Sequence, residues 1–287
     1  VGNHDCELLF PELQRALARR IGADERLFFP GLELEVGDVH IEHGMQVDEM
    51  FKIDAERPFF ERDGQRLLNL SWGALALLEV AVPLYPKLYH LDRVRPGSAL
   101  FAALPEAKEL LLSRSWRYWT REYVQKFFAD DDPMRRITWR MIKEIVYRFA
   151  SVDTDVAASE EYTNELRASE TQRVYVVGHR HDPGLWGFGD RRMLRTGCFR
   201  DEYILRDGGA KQIQLPKSYV EVFLDGDRHR HAGLVEIEGP PPPEGHLPSS
   251  VLDFGPVLKQ LLAEQEGHDE ANAQLRAHEA NEDTEAD

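Results

Sequence analysis

The chain has 287 residues, 42% hydrophobic and 30% charged, which is enough apolar material for one large folded domain or two small ones. Half of its net charge of -16 sits after Leu261, where nine acidic residues face Arg276 alone. The acidic balance that remains in the body argues against general nucleic-acid binding, which needs Lys and Arg on phosphates. Two cysteines, Cys6 and Cys198, cannot build a disulfide framework and point to a reducing, cytoplasmic compartment. The longest apolar run, Leu70 to Tyr85, is broken by Glu79 and Pro83 and falls short of the roughly 20 residues a membrane-spanning helix needs. The chain opens on Val1 with no basic-then-apolar leader, so it is expected to be a piece of a longer protein.

In chain order, Leu8, Leu9, Leu13, Ala16 and Leu17 recur at helical spacing over 7–20, with Gly22 as a stop. Leu32–Val36 and Val39–Glu42 alternate as strands around the turn signal Gly37-Asp38. Residues of about 66–170 read as helical. Ser98 caps a helix over Ala99–Leu112, Pro133 opens another over Met134–Phe149, and a polar helix runs from Asp155 to Ala168. Strand character returns at Arg173–Val177, and again at Ser218–Leu224 and Ala232–Glu238 about Asp225-Gly226. Pro240–Pro243 is a stiff break, Val257–Glu266 a short helix, and the acidic tail after it is expected to be disordered. The pattern predicts an α/β (α+β) core spanning 1–239 with a helical insertion at about 66–170, then the break and helix at 240–266 and the tail at 267–287.

Three short segments carry chemistry, each where a strand gives way to a loop. They are Gly2-Asn3-His4-Asp5, His43-Gly44 and Gly178-His179-Arg180-His181. In an extended stretch His179 and His181 face one way, and imidazole suits transition-metal ions. By residue type alone they are equally two surface histidines. Asn3 offers a neutral oxygen ligand, His4 a proton donor, and Asp5 a carboxylate to orient that imidazole. The same three residues also suit a polar loop or a helix cap.

Taken together and in this order, the segments resemble the calcineurin-like metallophosphoesterase superfamily. Val39 to Asp48 (VHIEHGMQVD) resembles the strand and loop around its isolated metal-binding histidine, and Gly178 to Pro183 (GHRHDP) its last metal motif. Thr196-Gly197-Cys198 is similar to the Thr-Gly-Ser strand end that follows. The resemblance covers roughly 1–55 and 170–238. It implies a four-layer αββα sandwich of two mixed sheets and a binuclear centre of Mn, Fe, Zn or Ni. A hydroxide between the two metals would attack a phosphate mono- or diester. It further implies that Asn3, His43 and His179 ligate one ion, that His181 ligates the other, and that His4, supported by Asp5, is the catalytic histidine. The family's Asp-x-His and Gly-Asp-x-x-Asp motifs would precede Gly2, where only Val1 stands, so the resemblance implies an N-terminally truncated domain short of half its ligands. Arg180, Arg195 and Met45 stand where the family commonly has other residues, which bears on substrate preference.

Two other readings stay open: a catalytically inactive remnant acting as a binding module, and an active enzyme docked on membranes through 113–148. That segment holds nine Lys/Arg against five acids, interleaved with eight aromatics. It suits a lipid-linked phosphate, or equally a cap whose aromatics pack inward. Arg228-His229-Arg230-His231 is expected on an exposed strand face away from the site, and Cys6 is expected in packing.

Overall fold

The computed structural model describes residues 1–23, 26–124, 134, 136–150, 164–239, 250–267, 270 and 274. Twelve strands are described among them: β1 (Glu33–Val36), β2 (Val39–Glu42), β3 (Phe59–Arg62), β4 (Gln65–Leu68), β5 (Val94–Arg95), β6 (Val174–Val177), β7 (Gly184–Phe188), β8 (Arg191–Arg195), β9 (Tyr203–Arg206), β10 (Lys211–Gln214), β11 (Lys217–Asp225) and β12 (Arg228–Ile237). Mixed sheets and helices together make an α/β architecture. The chain divides into two compact units, Val1–Glu79 with Gln125–Asp201 and Leu215–Pro240, and Val80–Val124 with Glu202–Gln214 and Pro241–Asp287.

The first unit is built on a five-stranded mixed sheet in the order β1-β2-β6-β8-β7. Its three inner strands run parallel, and β1 and β7 are antiparallel edges. β6 is buried at all four positions, as a central strand covered on both faces must be, and its sequence is accordingly an unbroken apolar run. One face carries Val39, Val174, Val176 and Leu194 and is closed by Ala232, Val220 and Val222 of the β11–β12 hairpin. The other carries Tyr175, Val177 and Met193 and is closed by Leu166 of a helical turn over 164–168. A separate cluster of Cys6, Met45 and Ile53 packs the N-terminal loop against the loop after β2. Cys6 therefore has the packing role its isolation suggests, and burial pushes its thiol up.

Asp38, in the β1–β2 turn, ties the sheet to the β11–β12 hairpin. Its Oδ1 accepts the His229 N–H at 2.8 Å, its Oδ2 faces His229 Nδ1 at 2.9 Å, and its own N–H donates to the Asp227 carbonyl at 3.0 Å. His229 is thus a partly buried structural partner rather than part of an exposed face, while His231 is exposed beside Phe223. Burial raises the Asp38 carboxyl, but the His229 ring and N–H outweigh it and leave the group below its ordinary value.

The second unit holds the mixed sheet β10-β9-β5 and the helices Gly97–Ala103 and Pro105–Arg117. Leu100, Leu104, Leu110, Val251 and Leu258 form its core. Arg95 and Glu202 pair at 2.8 Å with the carboxylate almost fully buried. Residues 255–267 are helical, which contains the expected Val257–Glu266.

Several boundaries differ from the sequence reading. The helix expected over Ala99–Leu112 is two helices, because Pro105 has no N–H to continue the first and holds Leu104 extended at φ -131°, ψ 81°. The start of the expected helical block is instead the β3–β4 hairpin, turned by Asp63 and Gly64 at φ 51° and 72°. Residues 80–124 of that block cluster with 202–214 and the C-terminal segment, whereas Trp139–Ala150 belongs to the first unit. Pro133, most of the 155–168 helix and nearly all of the acidic tail lie outside the described residues. No helix among the described residues is long and apolar enough to cross a membrane. Within 113–148, Tyr118 and Tyr123 are buried and pack with Trp119, while Trp116 and Trp139 are 73% and 78% exposed.

A carboxyl held below its ordinary value stabilises the fold at every pH above about 3.9, and that contribution is lost as pH falls through its folded value. Asp38→Asn is expected to cost about 1.5–3 kcal/mol at neutral pH, the range for a hydrogen bond to a charged group. It should also flatten the acid limb of the stability curve. Urea denaturation at pH 7 and at pH 3 measures both, and an equal loss at the two pH values would contradict it.

Candidate metal centre

The loops after β2 and β6 leave the sheet side by side because those strands are parallel neighbours, with Glu42 paired to Val177. The pairing continues one step further, where the Gly178 N–H donates to the His43 carbonyl at 2.8 Å. A Cβ on Gly178 would sit 3.2 Å from that carbonyl, a tight contact that glycine avoids. His179 follows at φ 65°, a left-handed conformation uncommon for a residue with a Cβ, and this bend turns its ring back toward His43. The two rings meet edge to face with centroids 5.3 Å apart.

Asn3 joins them from the N-terminal loop. Its Oδ1 lies 2.8 Å from His43 Nε2 and 3.2 Å from His179 Nδ1, with the residue itself buried. The Gly2 backbone packs flat on the His43 ring, where a Cβ would sit 2.8–2.9 Å from ring atoms. Behind His179, Nε2 faces the Asp48 carboxylate at 3.1 Å, and Asp48 in turn accepts the Met50 N–H at 3.0 Å. Phe51 closes on the same ring with centroids 5.6 Å apart.

This donor set fits a cation. Two ligands held at about 2.1 Å by one metal lie about 3.0–3.4 Å apart; the Asn3–His179 separation of 3.2 Å falls in that range, and the Asn3–His43 separation of 2.8 Å is slightly shorter than it. An Nε2–H on His179 donating to Asp48 leaves the Nδ1 lone pair aimed at the Asn3 carbonyl oxygen. Either a second ring proton or a cation relieves that opposition. Carboxylate–imidazole–metal is the ordinary arrangement for ligating histidines. Burial, and then the neighbouring His179, push His43 down to about 4, so its imidazole is neutral and its lone pair free at neutral pH.

His4 and Asp5 follow Asn3 in the same loop, and the charges of both act on His43. His4 is exposed and, with Asp5, Gly2 and His43, lines an open cleft of about 580 Å³. Asp5 Oδ1 accepts the Gly2 N–H, which closes the turn that presents Asn3. His181 and Cys198 offer donor atoms within 4.8 Å of each other. Asp182, next in the chain, is engaged by the Arg195 guanidinium. The sequence reading assigned no role to Asp48 or Phe51, although Asp48 closes the VHIEHGMQVD segment. Its only signal was a carboxylate five residues after a candidate ligand histidine, a spacing with no fixed geometry until the loop is folded.

No protein-family profile, no curated protein and no solved structure matches the chain.

In buffer with chelator, the His43 ring followed by NMR is expected to titrate near pH 4, and His179→Ala to raise that midpoint. Gly2→Ala is expected to shift the His43 ring resonances and to cost about 1–3 kcal/mol, as overpacking does. An unchanged His43 spectrum in that variant would show that the ring is not packed on residue 2.

Proposed function

We propose that this chain is the core of a metal-dependent phosphoesterase of the calcineurin-like superfamily, with that family's four-layer αββα sandwich of two mixed sheets, acting on a phosphate mono- or diester. The observation that carries the reading is the meeting of Asn3 Oδ1, His43 Nε2 and His179 Nδ1 at the ends of parallel strands, although the three residues span 176 positions. The three ordered sequence segments and the stacking of the β11–β12 hairpin on the main sheet support the same reading.

Asn3, His43 and His179 would hold one divalent ion, and the reading assigns His181 to a second. Bound there, such ions supply Lewis-acid neutralisation of a phosphoryl group. Asp48 holds His179 in the tautomer that presents Nδ1. Phe51 and Met45 keep that side of the loop apolar and the ligand rings fixed. His4, on the wall of the cleft, would protonate a leaving oxygen. Asp5 keeps the Gly2–Asp5 turn closed, so that Asn3 and His4 project from one rigid loop.

The test compares His4→Asn and His43→Ala, with metal content and hydrolysis of an aryl phosphate measured on the same preparations. His43→Ala is expected to lose one equivalent of metal and activity together. His4→Asn is expected to keep its metal and lose about 10²–10⁴ in turnover. Equal metal loss in both variants would defeat the division between ligand and proton donor. No metal loss in His43→Ala would defeat the centre itself.

A further inference from the structure

The β1–β2 hairpin carries a second set of donors on the face turned away from Ile41. Register pairs Glu33 with Glu42 and Glu35 with His40, and cross-strand partners share a face. Three carboxylates and one imidazole therefore lie together. Ligand atoms of Glu33, His40 and Glu42 all fall within 4.8 Å of one another.

The Glu42 side chain is only 8% exposed, and its Oε1 is buried without a hydrogen-bond partner. Among the described residues, the ion pairs of Glu35 and Glu42 are with His40 alone, at 3.6 Å to Nδ1 and 3.5 Å to Nε2, and no Lys or Arg pairs with Glu33. Both distances exceed a normal hydrogen bond. Glu33 and Glu35 on β1 stand opposite Glu42 and His40 on β2, so carboxylates dominate this face. A buried carboxylate oxygen with no partner keeps its full desolvation penalty, and neighbouring like charges add to it. A cation would remove both penalties.

The spacing suits one. Two ligands at about 2.1 Å around a tetrahedral ion are about 3.4 Å apart, close to the separation of His40 Nε2 and Glu42 Oε2. The imidazole is also oriented, stacked on Tyr175 with centroids 4.7 Å apart and with Nδ1 toward Glu35. A proton on Nδ1 then leaves the Nε2 lone pair facing Glu42. We propose that Glu33, Glu42 and Nε2 of His40 bind a divalent transition-metal ion, with Glu35 as the positioning residue behind His40. Mixed imidazole and carboxylate donors suit Zn²⁺ or Mn²⁺. The site shares no ligand with the Asn3, His43 and His179 centre, and its role is to hold the β1–β2 edge of the sheet.

Zn²⁺ alone, titrated calorimetrically into the full chain carrying His43→Ala together with His181→Ala, removes a ligand from each of the other assigned ions and leaves the hairpin under test. One equivalent is expected to bind and to raise the melting temperature. Adding Glu35→Gln should weaken binding about 10–100-fold, as loss of an orienting carboxylate does, and adding Glu42→Gln or Glu33→Gln should weaken it more. Glu33 is exposed, so Glu33→Gln carries the test if the buried Glu42 variant fails to fold, with far-UV circular dichroism in chelator as the control. Zinc binding in that doubly substituted chain that is indifferent to both carboxylate changes would overturn the proposal, as would no binding at all. The Asn3 centre is judged separately, by the equivalent lost between wild type and His43→Ala.

Discussion

Much of the candidate centre depends on the parallel pairing of β2 with β6. Two strands 4.7–4.9 Å apart in the hydrogen-bonding direction deliver their following loops to the same sheet edge, and Glu42 opposite Val177 sets which residues emerge together. The Gly178 N–H to His43 carbonyl bond extends that register by one step beyond the strands. Because the side-chain period of a strand is two, a one-residue slip would turn Ile41 and Val176 out of the Val39–Leu194 cluster and separate the histidines at the same time. The apolar core and the polar knot are therefore secured by one register.

The two faces of the sheet are used differently. One is dry and closed by the β11–β12 hairpin, which Asp38 and His229 tie to the β1–β2 turn. The other is apolar over β6 and β8 but acidic over the β1–β2 edge, where His40 and Glu42 replace the aliphatic residues found further in. An edge strand with inward-facing charge is poorly suited to pairing with another chain, so these carboxylates also protect the sheet edge. The alternation that puts Val39 and Ile41 into the core is what places His40 and Glu42 together on the reverse.

Rigidity at the knot comes from glycine and from burial. Gly2 permits a backbone-to-ring approach that a Cβ would obstruct, and Gly178 eases a tight backbone-to-backbone one. Cys6, Met45 and Ile53 then clamp the two loops against each other. His179 keeps its left-handed backbone because the Gly178 bond, the Asp48 carboxylate and the Phe51 ring determine its position from three sides. The donors are consequently preorganised, and neutral His43 reflects how little water reaches them.

Local pattern was sufficient wherever the chain's own chemistry decides the outcome. Alternation and the Gly37-Asp38 turn define the first hairpin, the apolar run defines β6, and Asp225-Gly226 marks the turn that leads into β12. Asn3, His43 and His179 were nominated together through the resemblance carried by three ordered segments, not by residue type alone. The sequence did not show that Leu104-Pro105 splits a helix, that 80–124 clusters with 202–214 rather than with the rest of its helical stretch, or that Asp48 stands behind His179. Nor did it show that the backbone bends at His179, where alternation stops giving a direction to the side chains that follow. Strand and turn signals are written in neighbouring residues and survive in the sequence. Donor convergence depends on register, backbone bends and packing between segments far apart in the chain, and only the folded structure decides those.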